Sequence, residues 1–207
     1  ATKTSEAGAF SRIVSERGGT ENAFTSSDFT AYYQQWAPEN LEISFKMEAD
    51  RMRNLLIEPS EFKHEKSVVL EERSLRVDDK PISMAYEILK ANAFQTSPYR
   101  HPIIGWRSDI EDLTVSDLRA WYDQYYHPNN ATIVVVGNVL ASKVFEMAEN
   151  YFGDIPEGPE IITKSRPEVK QSGRKVINFS SSKAKVAHIV LGYKVPSYKQ
   201  ALEDKEI

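Results

Sequence analysis

The chain contains no cysteine. That absence excludes disulfide frameworks, zinc ribbons and thiol catalysis, and it leaves His, Asp and Glu as the side chains able to hold a metal. Long apolar runs are missing too. No stretch of about 18 apolar residues exists, so no helical membrane span is expected. The start, Ala1-Thr2-Lys3-Thr4, has neither an initiator Met nor the apolar core of a signal peptide, and the chain reads as a trimmed piece of something longer. A basic excess is also absent. With 26 Lys and Arg against 30 Asp and Glu, the net charge of −4 gives no footprint for nucleic acid or an anionic membrane surface. What remains is a soluble globular composition, 41% hydrophobic and 27% charged over 207 residues, enough for one large domain or one and a half small ones. Cysteine usage leaves the compartment open.

Against that background the most informative feature is a pair of glutamates, Glu65 and Glu72. Residues 60–77 hold no Gly or Pro, follow Pro59 with Ser60 as a candidate N-cap, and carry Glu61 in the first turn, which predicts a helix. At about 100° per residue the two glutamates differ by only about 20° in azimuth, with Phe62, Val68, Val69 and Leu75 on the same side. Lys63, Lys66, Glu71, Arg73 and Ser74 fall at other azimuths, as on the solvated side of an amphipathic helix. Carboxylates on a packed face need a partner, because an isolated buried charge costs several kcal/mol or more. Two partners fit: a metal ion, or arginines, with Arg76 one turn beyond Glu72 and Arg51 and Arg53 on the preceding helix. At about 1.5 Å rise per residue the two Cα atoms lie about 10 Å apart, so both carboxylates cannot easily bind one ion. One would bind and the other would support.

Around this helix the pattern alternates. A helix over 9–17 stops at Gly18-Gly19, and strands over 20–25 and 29–36 flank the polar turn Ser26-Ser27-Asp28 as a hairpin. Helices are expected at 38–56, 84–94, 114–126 and 141–152, the third opened by a Thr114/Asp117 capping box. Residues 96–107 form an irregular loop. Strands are expected at 131–136, 175–179 and 186–193, the first as a continuous β-branched run. Gly158, Pro159, Pro167 and Gly173 among charges mark 158–175 as an interdomain linker, followed by the start of a second domain at 176–207 with a polar tail. The expected class is α+β, a sheet with helices packed on one face.

Several blocks, taken in order, resemble the pitrilysin/insulinase family of zinc metallopeptidases, which includes the mitochondrial processing peptidases. They are Phe10-Ser11-Arg12-Ile13-Val14 with Gly18-Gly19, the run from Glu21 to Ser26 with Thr30-Ala31-Tyr32-Tyr33, the Glu65-x6-Glu72 helix, His127-Pro128-Asn129-Asn130 through Gly137-Asn138, and Tyr151-Phe152-Gly153-Asp154-Ile155-Pro156. The resemblance implies that Glu72 is the third zinc ligand and that Glu65 supports the site from outside the coordination sphere. It also implies that Asn22, Ala23, Phe24 and Thr25 form the edge strand that receives a peptide by β-augmentation. Residues 1–157 would then be the remainder of the N-terminal peptidase domain.

The family's two histidine ligands and general base come from an inverted H-x-x-E-H helix, and this chain has no such motif. His64, His101, His127 and His188 are each isolated. In the family the motif precedes the Phe10 block, so it would fall upstream of Ala1. The implied parent is a zinc metalloendopeptidase acting on unfolded peptides in a chamber closed by a second homologous half, and this chain alone would be inactive and bind Zn2+ weakly. The alternative is a non-catalytic peptidase-like subunit or binding module that pairs with an active partner. Bacterial members are often exported, so the resemblance points to a periplasmic or exported protein.

Overall fold

The structure is a computed structural model that describes residues 1–164 and 166–197. It divides into two compact units, Ala1–Val69 with Arg107–Lys164, and Leu70–Trp106 with the described residues from 166 to 197. The class is α+β, as expected.

In the first unit, α1 (Ala9–Glu16) ends where Gly18 takes a φ of 70°, a conformation that costs glycine nothing. The amide of Gly19 then closes on the Val14 carbonyl at 2.8 Å, and Val14 is only 1% exposed. The turn delivers the chain into β1 (Thr20–Thr25), which pairs antiparallel with β2 (Thr30–Gln35) in a register that sets Ala23 opposite Tyr32 and Phe24 opposite Ala31. Ser26 Oγ accepts the Asp28 and Phe29 amides and fixes the turn. Because side chains alternate across a strand, Ala23, Tyr32 and Gln34 share one face and Phe24 and Tyr33 the other. The first face meets helix: Gln34 donates to Glu48 at 2.6 Å, and the Arg51 guanidinium lies 3.8 Å from the Tyr32 ring centroid. Both partners sit on α2 (Leu41–Asn54), entered through a short 3-10 turn, Pro38–Asn40. Helices thus pack on one face of the hairpin.

The core of this unit is small, with Phe45 and Ala49 of α2 buried and Phe45 edge-on to Phe152. Phe152 closes α7 (Ala141–Phe152). The helix α6 (Val115–Tyr125) opens with the expected capping box, in which Thr114 and Asp117 exchange hydrogen bonds. Its Tyr122 hydroxyl reaches the carbonyls of Arg51 and Met52 at 2.8 and 2.6 Å, satisfying acceptors that the end of α2 leaves open.

The glutamate helix α3 runs Pro59–Arg73 and passes into a π-turn, Ser74–Asp78. From Leu70 onward it belongs to the second unit, which also holds α4 (Pro81–Ala93) and a 3-10 turn, Pro98–Arg100. There the Glu168 carboxylate accepts the amides of Gln95, Thr96 and Ser97 at 2.8, 3.0 and 2.9 Å and the Lys194 ammonium at 2.8 Å. A fifth helix, α5 (Arg107–Asp112), stands where sequence periodicity gives no signal because it spans only six residues.

The strands expected at 131–136, 175–179 and 186–193 are not paired into any sheet among the described residues. Their composition favours a half-buried pleated surface, but a strand exists only through its neighbour. Val134 and Val136 are 78% and 92% exposed and Ile189 is 87% exposed, so the apolar flanks that such strands would bury stand open. The polar tail expected at the end, from residue 198, lies outside the described residues.

Candidate functional site

Two elements carry the residues singled out by sequence. In β1, residues 22–25 are all exposed, and β1 pairs with β2 alone among the described residues, so its other margin is open. The Ala23 amide donates to the Asn22 side chain at 2.8 Å, which occupies one main-chain donor of that strand. On the open face of the hairpin Phe24 stacks edge-on against Phe29, centroids 5.8 Å apart, and leans on Tyr33 at 6.5 Å.

The α3 face requires a correction. Glu65 and Glu72 do share an azimuth with Phe62, Val68, Val69 and Leu75, but the stripe is not buried. Glu65, Val68 and Leu75 are exposed and the Glu72 side chain is 39% exposed. Phe62, Val69 and Glu72 are half-buried, and the exposed apolar and acidic groups face outward together. Glu72 is paired with Arg76 at 3.0 Å, as the arginine alternative anticipates. Arg51 instead pairs with Glu48, its neighbour on α2.

The residue on α3 that is buried is Arg73, which the sequence placed on the solvated side. Its guanidinium grips both Glu87 oxygens, at 2.9 and 2.8 Å, donates to the Gly105 carbonyl at 2.7 Å and pairs with Asp78 at 3.3 Å. A signal existed. Leu70, Arg73 and Val77 recur at i, i+3 and i+7, a face of its own that the stronger glutamate stripe obscured.

A second feature unannounced by sequence is an aromatic pocket of about 180 Å³ in the first unit, lined by Tyr32, Arg51, Leu55, Trp121, Tyr122 and Tyr126 among others. Tyr32 and Tyr126 share a hydroxyl hydrogen bond of 2.8 Å, and burial together with that bond pushes the Tyr126 hydroxyl well above its ordinary pKa. Its walls come from elements about 90 residues apart in sequence, which no local pattern links.

For a metal, Glu72 offers one carboxylate on an open face, a suitable donor for zinc. The described residues contain no group of three His, Asp or Glu placed to hold an ion, so they do not close a site by themselves. His127 faces the Asp123 carbonyl at 2.7 Å and His101 lies 3.3 Å from the Trp106 indole nitrogen, both local contacts. No helix among the described residues is long and apolar enough to cross a membrane.

Known proteins resemble this chain in sequence and fold. A family model described as Insulinase (Peptidase family M16) matches residues 1–106, and one described as Peptidase M16 inactive domain matches 112–206. The zinc protease PqqE of Helicobacter pylori is 36% identical over 200 residues, 96% of this chain and 45% of that protein. The beta subunit of the mitochondrial-processing peptidase of Blastocladiella emersonii is 26% identical over 91% of this chain and 40% of its own length. The crystal structure of a protease from Helicobacter pylori superposes with a TM-score of 0.80 at 37% identity, over 84% of this chain and 42% of that one. The periplasmic protease PqqL of Escherichia coli shares the fold, with a TM-score of 0.71 at 20% identity, over 81% of this chain and 19% of that one. The chain thus spans less than half the length of these relatives. With half of its residues matched by the family model and the expected motifs in order, the chain belongs to the insulinase family, peptidase family M16, and the relative at 36% identity is named a zinc protease.

Proposed function

We propose that the chain is part of a zinc-dependent metalloendopeptidase. In this reading Glu72 supplies one zinc ligand, Glu65 supports the site from the same helix face, and Asn22, Ala23, Phe24 and Thr25 form the strand on which an extended peptide pairs. Two histidine ligands and the general base lie outside this chain, on an upstream H-x-x-E-H helix that covers the open stripe of α3. The observation that carries the reading is that stripe itself. Val68 and Leu75 stand exposed on it, and an apolar cover over them would leave Glu65 and Glu72 in need of a cation or donors beneath it.

Substrate and partners follow from the same reading. Main-chain pairing to an open strand makes little demand on sequence, so the substrate class is unfolded peptide. A second homologous domain or subunit closes the chamber, with 1–157 as peptidase domain, 158–175 as linker and 176–207 opening the second domain. One structural neighbour is named a periplasmic protease, which supports an exported location.

The test is Glu72→Gln in the full-length protein, with bound metal measured by elemental analysis. Loss of zinc is expected. Unchanged zinc content would leave Glu72 as the ion-pair partner of Arg76 and nothing more. A second reading, a non-catalytic subunit that binds peptide beside an active partner, is favoured by the match of 112–206 to the inactive-domain model. Stoichiometric zinc in the full-length wild-type protein would exclude it.

A further inference from the structure

We propose that Arg73 is a positioning residue for the Glu72 carboxylate, a role that rests on the reading of Glu72 as a zinc ligand. Among the described residues Glu72 is held by Arg76, whose side chain is 73% exposed, and so exposed a partner fixes geometry weakly. The next residue is the opposite case. Arg73 is 5% exposed, and its planar fork is matched by both oxygens of Glu87 on α4, by the Gly105 carbonyl from the loop after α4, and by Asp78 at the far end of the π-turn. Three separate segments therefore clamp one guanidinium.

Place in the chain turns this clamp into a device for orientation. Adjacent helical residues are separated by about 100°, so fixing Arg73 on the inner face fixes the azimuth at which Glu72 leaves the helix. The need is acute because regular α-helix ends at Arg73 and the backbone widens into a π-turn, closed by the Asp79 amide on the Ser74 carbonyl at 2.9 Å. Such turns interrupt the ladder that otherwise holds a helix in phase. A rotation of about 10–20° would take a ligand out of productive geometry. Arg73 is no metal ligand in this reading. It acts through the backbone it shares with Glu72.

The experiment uses the full-length protein with zinc affinity read by chelator competition and the visible absorption of the cobalt-substituted form as a second signal. Arg73→Met and Glu87→Gln are each expected to weaken zinc binding by about 10–100-fold and to change the cobalt spectrum, as loss of orienting partners does in metal sites. Arg73→Lys should not restore it, because an ammonium cannot make the two-pronged contact. Phe45→Leu, in the core of the first unit, serves as the control for general loss of stability and should leave zinc affinity unchanged at a matched fall in apo-protein melting temperature. If Arg73→Met fails to fold, Glu87→Gln carries the test. Wild-type zinc affinity in Glu87→Gln and in any folded Arg73→Met, with zinc lost in Glu72→Gln, overturns the positioning role and leaves the ligand reading intact. Zinc retained in Glu72→Gln overturns both.

Discussion

Glu72 and Arg73, neighbours in sequence, have opposite surroundings, and each has its own energetic consequence. Glu72 pairs in the open with Arg76 and contributes little to stability. Arg73 is a charge taken out of water, and breaking such a pair from one side leaves it uncompensated. Glu87→Ala is therefore expected to destabilise the fold by about 3–5 kcal/mol in a urea titration. A loss near that of an exposed substitution would show that Asp78 and Gly105 hold Arg73 unaided. Sequence disclosed the shared azimuth of Glu65 and Glu72 because periodicity is a local property. It gave the wrong burial for them, and hid Arg73, because burial depends on what packs opposite: Glu87 lies 14 residues on and Gly105 32 residues on.

Elements whose signals are short in range were legible, and those built from distant partners were not. The Thr114/Asp117 box, the stop at Gly18 and the hairpin turn at Ser26 each lie within four residues of the group they satisfy. The attachment of 166–175 to the loop after α4 has no such signature. Glu168 organises it, and the Lys194 ammonium followed by the Gln95, Ser97 and Thr96 amides holds its carboxyl far below the ordinary carboxylate range. A depressed carboxyl stabilises the folded state fully above its unfolded pKa of 4.5, and the contribution fades as pH falls from there through the native value. Protection of the Gln95, Thr96 and Ser97 amides from hydrogen exchange should accordingly be full above the unfolded value, begin to weaken as pH falls below it, and go on weakening into stronger acid. Glu168→Gln should remove that pH dependence, and slow exchange in the variant would show that the loop is held by other contacts.

At the scale of the molecule, the sequence spoke for a sheet larger than the hairpin found. Residues 131–136 and 186–193 have the composition of buried strands yet lie unpaired and open among the described residues, since pairing needs a neighbour that no single strand can supply. Exposed apolar runs of this kind drive association. The chain on its own is expected to self-associate as its concentration rises in sedimentation velocity, and to hold zinc only weakly. A monomer throughout that range, or submicromolar zinc binding by this chain alone, would contradict the picture of an incomplete sheet and an incomplete metal site.

The margin of β1 invites a related danger, because an unpaired strand is a template that any stray strand can copy. Here the Asn22 carboxamide already occupies the Ala23 amide. A brief accidental contact at that point exchanges one hydrogen bond for another and gains nothing. A longer extended segment loses that single bond and gains a row of them. If β1 receives peptide as proposed, the side chain of one asparagine would favour long extended segments over brief contacts, whatever their residues.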